Sequence, residues 1–81
     1  MITPSVHLNG TSKAELQRMY SDAYRAVRAA LQAVEESAPN ARDYYVQSIE
    51  GAHRIAVAEH CARLEKLATV ARELSEIRAS L

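Results

Sequence analysis

From Leu16 onward the chain alternates apolar and polar residues on a helical period. Leu16, Tyr20, Ala23, Val27, Ala30 and Val34 recur at alternating steps of four and three. That spacing aligns them as a heptad seam on one helix face. Arg18, Asp22, Arg25, Arg28, Gln32 and Glu35 occupy much of the remaining circumference. Ahead of the seam, Ser12-Lys13-Ala14-Glu15 has the form of a capping box. In it the Ser12 hydroxyl accepts from the Glu15 amide while the Glu15 carboxylate reaches back to the Ser12 N–H. Pro39 ends the run, because the residue before a proline is pushed out of the helical region. The pattern predicts a first helix within residues 12–38, from about Lys13 to Ser37.

A second period follows the Ala38-Pro39-Asn40 turn. Val57, Cys61, Leu64, Leu67 or Ala68, Ala71, Leu74, Ile77 and Leu81 keep a spacing near 3.5, which predicts a second helix within residues 51–80. Glu50 with Arg54, and Glu59 with Arg63, stand four apart in the favourable orientation for ion pairs. Residues 39–50 form the turn and bridge. Asn40 can cap a new helix, with Asp43 at its positive end. Yet Tyr44-Tyr45-Val46 favour helix weakly and Gly51 interrupts the pattern. Ala41 to Glu50 is therefore either one or two helical turns or an irregular bridge. Residues 1–11 lack a period and read as an extended arm carrying Ile2, Val6 and Leu8.

The predicted fold is all-α, an antiparallel two-helix hairpin with an extended N-terminal arm, in a single domain. At 1.5 Å per residue the first helix spans roughly 38 Å and the second roughly 43 Å, or near 60 Å if the bridge is helical. The longer helix then has apolar surface near Val70, Leu74, Ile77 and Leu81 that the first does not cover. Either the arm folds over it or a second subunit does. A chain this short buries only about 60–65% of its unfolded surface and is marginal alone. Disulfides cannot help, since Cys61 is the only cysteine. No paired cysteine or histidine element supplies the four ligands of a structural zinc. Self-association into a helical bundle completes the structure most simply. The alanines at 23, 26, 30 and 33 add either a close-packing edge or plain helix propensity.

Charge changes the picture by what it excludes. Ten Lys and Arg balance ten Asp and Glu, so no bulk field draws the chain to DNA or to an anionic membrane. No apolar run approaches the roughly 20 residues of a membrane span, and the start lacks a secretory pattern. The expected location is the cytoplasm. Eight of the ten cations are arginine, a residue that grips carboxylate or phosphate bidentately and also serves in ordinary surface pairs.

Two clusters carry candidate chemistry. Asn9-Gly10-Thr11-Ser12-Lys13 sets a glycine, two hydroxyls and a lysine at a helix start, where donors face an anion. A plain turn and cap use the same residues. Pro39-Asn40-Ala41-Arg42-Asp43-Tyr44-Tyr45 concentrates an amide, a guanidinium, a carboxylate and two phenols at the bend. Arg42 can hold phosphate and the rings of Tyr44 and Tyr45 can stack on a base, or the rings can simply close the core. His53 and His60 lie seven apart beside Cys61, two turns from each other and too far for one metal within a helix. Packing is their better role. No catalytic set, cofactor motif or metal motif is present.

The stretches His7-Leu8-Asn9-Gly10-Thr11-Ser12 and Ala38-Pro39-Asn40-Ala41-Arg42-Asp43-Tyr44-Tyr45 together resemble a family of small proteins of tailed phages and prophages. Its second stretch commonly reads APNGRDYY, so Ala41 departs by one residue. The resemblance covers most of the chain in order and implies a phage origin without an activity. In size and expected topology the chain is also similar to phage sponges that sequester cyclic nucleotide or cyclic ADP-ribose signals of bacterial immunity. The expectation is a non-enzymatic homo-oligomer without cofactor or metal that binds a small anionic ligand. Asn9, Thr11, Ser12, Lys13, Asn40, Arg42, Tyr44 and Tyr45 would meet that ligand where an antiparallel dimer joins one head to the other bend. The alternative is a protein-binding module acting on a host or phage partner through a helix face.

Overall fold

The computed structural model describes residues 1–81 and is all-helical, with two long helices and no strand. Helix α1 spans Lys13–Glu36 and helix α2 spans Ala52–Ser80. They pack against each other as an antiparallel hairpin, giving a rod with extents of 62 × 20 × 16 Å.

Local chemistry fixes the ends of α1. The Ser12 hydroxyl accepts from the Glu15 amide at 3.2 Å, which satisfies one of the orphan donors of the first turn. Only half of the capping box forms. The Glu15 carboxylate turns outward to the Arg18 guanidinium instead of back to Ser12, because a charged partner one turn along competes well with a neutral amide. Arg18 also pairs with Asp22 at 3.2 Å, and Asp22 with Arg25 at 2.5 Å. These pairs form a ladder on the solvent side of α1. No ion pair joins Glu50 to Arg54 or Glu59 to Arg63, and the three pairs of the molecule all lie on α1. Glu50 precedes the helix, so no helical turn sets it over Arg54.

The bridge resolves to irregular chain. One 3-10 turn, Ala41–Asp43, is capped by the Asn40 side chain, which accepts from the Arg42 amide at 3.0 Å. Turns and bends then run to Gly51. Gly51 adopts φ 70°, left-handed backbone that other residues enter only with strain, and α2 starts from it. This reversal is what keeps the bridge from joining the helix.

The core is a single thin seam. Leu16, Leu31 and Ala71 are its buried apolar residues, and His60 is buried with them at 7% exposure. Two seam positions differ from the sequence expectation. Leu31 faces inward where Ala30 was expected, and His60 faces inward where Cys61 was expected, Ala30 and Cys61 being exposed. In each case the bulkier neighbour, one step along the helix, fills the gap between axes. The seam of α2 then reads His53, Val57, His60, Leu64, Leu67, Ala71 and Leu74, an unbroken alternation of four and three whose members are all buried or half-buried. Across the open end, the Arg78 guanidinium lies 4.5 Å from the centre of the Tyr24 ring. Helical side chains lean toward their own N-termini, so in an antiparallel pair these two lean toward each other.

The arm does not close the core. Ile2 and Leu8 are 96% and 97% exposed, and Val70 of α2 also remains open. A tight turn, with the Gly10 amide donating to the His7 carbonyl at 3.1 Å, joins the arm to the α1 cap. The His7 ring sits where a side chain at Gly10 would project.

The open rod leaves a large surface. It exposes 6050 Å², whereas a compact monomer of 9.0 kDa exposes about 4,900 Å². The radius of gyration is 18.4 Å, against about 12 Å for a compact domain of this length.

Candidate functional site

The bend is held from both sides. The Tyr44 amide donates to the Ala41 carbonyl at 3.0 Å, and the Gln47 amide to the Tyr44 carbonyl at 3.2 Å. From α2, His53 Nε2 stands 3.3 Å from the Pro39 carbonyl. A carbonyl only accepts, so Nε2 carries the hydrogen and Nδ1 is left free. The Tyr44 ring packs on His53 with centroids 5.9 Å apart and planes tilted by 49°, a favourable aromatic geometry. Tyr44 is thereby half-buried and its phenol ring fixed.

Tyr45 behaves differently. Its ring is 79% exposed, beside a recess of about 290 Å³ lined by Tyr44, Tyr45, Gln47, Ile49, Ala52 and His53 among others. The recess is shallow, mostly apolar and open to solvent. Arg42 stands at this end on the 3-10 turn, exposed and without an ion pair. Asn40 has its carbonyl oxygen occupied by the Arg42 amide and keeps its amide hydrogens for another acceptor. Asp43 is exposed beside them.

The second cluster lies at the other end of α1. Asn9, Thr11, Ser12 and Lys13 are all exposed, and Lys13 makes no ion pair. Ser12 accepts from Glu15, which leaves its hydroxyl hydrogen free to donate. The first-turn amides add further unsatisfied donors. Within one chain the length of α1, roughly 36 Å, separates this group from the bend. The hairpin thus brings together Asn40, Arg42, Tyr44 and Tyr45, and sets Asn9, Thr11, Ser12 and Lys13 apart from them.

Sequence reasoning assigned His53 to packing and passed over Gln47 and Ile49, which line the recess. The available signal was the register. Counted back from His60 by seven, His53 falls on the seam at the first turn of α2, next to whatever the bend folds into. Perturbed ionisation occurs elsewhere. The hydrogen bond from Arg18 holds the Glu15 carboxyl below the usual carboxylate range, and the same bond holds the guanidinium above its own. Both groups belong to the α1 ladder. No three of the His, Cys, Asp and Glu side chains gather closely enough to hold a metal ion, and no helix is long and apolar enough to cross a membrane.

Comparison with protein-family models, curated proteins and solved structures finds no match. The functional reading therefore stands on the chemistry of the two ends.

Proposed function

We propose that this chain is a non-catalytic homo-oligomeric binding protein that captures a small anionic ligand, best matched by a signalling nucleotide, where copies meet. In this reading it is a phage-type sponge: it sequesters the ligand and breaks no bond. One observation carries the reading. An exposed guanidinium without an ion pair, Arg42, stands on the same bend as a recess lined by the largely exposed Tyr45 and by Tyr44, whose ring packs on His53. Free cation plus stacking face is the pairing that a phosphate joined to a base requires. Oligomerisation supplies what one hairpin lacks. An antiparallel partner sets Thr11, Ser12 and Lys13 of its head beside this bend, adding phosphate donors, while Asn9 and Asn40 reach base or ribose edges.

The test is a thermal-shift screen against cyclic di- and trinucleotides and ADP-ribose derivatives. A ligand that binds only the folded assembly stabilises it by about 2.7 kcal/mol at a hundredfold excess over Kd. The bound nucleotide should come off intact on denaturation, and Arg42→Ala should abolish the shift without loss of helicity. A chemically altered nucleotide would instead make the protein an enzyme.

A second reading is favoured by a separate feature. Val46 and Ile49 are exposed large aliphatic residues beside Tyr45, a composition common at protein interfaces. In this reading the chain blocks or adapts a host or phage protein. It then ignores every nucleotide in the screen and retains one specific polypeptide.

A further inference from the structure

We propose that the N-terminal arm of one copy lies across the bend of another, with Ile2 and Leu8 covering Val46 and Ile49 and roofing the recess. This rests on the shared-boundary reading above and goes beyond it by naming the segment that closes the site. The most exposed apolar residues of the rod fall into two groups, and these sit at opposite ends. At the head, Ile2 projects almost wholly into solvent from the arm and Leu8 from the turn that follows it. At the bend, Val46 and Ile49 are 75% and 62% exposed. Neither can reach the other within one chain, since α1 separates them by roughly 36 Å. In a two-fold antiparallel dimer each head faces the other bend, so both contacts form at once and the assembly closes.

Reach and area both fit. Leu8 lies in the turn that joins the arm to the α1 cap, three residues before Thr11 and so at most about 11 Å from it. A head that sets Thr11 and Lys13 beside Arg42 therefore delivers Leu8 to the bridge that carries Val46 and Ile49. Each chain exposes roughly 1,200 Å² more than a compact monomer of its mass. Two copies hiding that excess bury roughly 2,400 Å², within the range of obligate dimers. The fixed turn at His7 to Gly10 aims the arm rather than leaving it a free tail.

The experiment uses the full chain with Cys61→Ser, so that no native thiol competes. Leu8→Cys and Ile49→Cys are introduced into separate preparations, mixed, allowed to exchange subunits and oxidised. A cross-linked heterodimer should form well above the level given by Leu8→Cys mixed with the mid-helix variant Glu65→Cys. Equal yields from the two mixtures would overturn the proposal. In parallel, the double variant Ile2→Asp, Leu8→Asp should keep the helical circular dichroism. Its assembly should dissociate at concentrations where the wild type stays associated, with Kd raised roughly tenfold or more per side chain. An unchanged assembly mass in that variant also counts against it. The wild-type mass separates this idea from the reading beneath it: a monomeric wild type removes both, whereas an assembled wild type with indifferent arm variants removes the arm alone.

Discussion

The two helices solve different problems with similar material. Helix α1 gathers its large apolar residues on the seam, with Met19 the main one left outside, and covers its outer face with the Glu15–Arg18–Asp22–Arg25 ladder. Helix α2 carries no ion pair and spreads its apolar residues. His53 and His60 hold seam positions, while Ile55 and Val70 point away from it. A helix with one apolar stripe is complete once that stripe meets a neighbour. A helix with apolar residues on further flanks needs more than one. The difference places the hairpin interface on α1 and the seam of α2, and leaves the outer flank of α2 as the part a lone chain does not use.

The largest break in this comparison comes at the seam they share. Leu31 is the most enclosed large side chain of α1. Leu31→Ala should cost about 2–5 kcal/mol, as buried leucine truncations do. For a domain of this size that rivals the whole net stability of about 3–5 kcal/mol. Loss of most helical ellipticity at room temperature is the expected result, and a cooperative melt near the wild-type Tm would show that the thin seam is not what holds the hairpin.

How much of this was legible follows from where packing decides and where it does not. The helices and bend were readable because capping by Ser12, the stop at Pro39 and the seven-residue period are local signals. The seam was misread by one position at Ala30 and again at Cys61. Both errors chose a residue by hydrophobic type, whereas the space between two axes selects by volume, and Leu31 and His60 fill it. The bridge stayed open because Tyr44, Tyr45 and Val46 suit several conformations. The decisive term is the left-handed Gly51 together with the long-range contact from His53 to Pro39. At the candidate site the residue types were readable, but their grouping depends on how copies meet, which no single-chain period encodes.

A smaller effect sharpens the claim about the outer flank of α2. Val70 is exposed in the hairpin, so Val70→Glu should change the stability of the isolated hairpin by no more than about 0.5 kcal/mol, the usual range for surface substitutions. In an assembly that buries this flank, the same substitution desolvates a charge and should lower the native mass measured by light scattering. The matching change on α1, Met19→Glu, should lower it less if the two helices differ as described. Equal losses of mass from both would erase the distinction between their outer faces.

The smallest effect belongs to the ladder on α1. Glu15 is held below the ordinary carboxylate value of 4.5 by its hydrogen bond from Arg18. A carboxyl whose folded pKa is depressed contributes stability that is present above its unfolded pKa and lost as pH falls through the folded one. Arg18, shifted upward, stays charged throughout that window. Glu15→Gln should therefore lower Tm slightly at neutral pH, and the gap should close as the solution is acidified from about pH 4.5 downward. Because the pair is solvent-exposed, high salt should narrow the gap as well. Arg18→Ala separates the pair from the favourable placement of an acid in the first helical turn, since it removes the partner and keeps the charge at the helix start. A Glu15→Gln gap that persists unchanged into acid would mean the glutamate acts through packing, and the contrast between a charged α1 face and an apolar α2 flank would lose its electrostatic half.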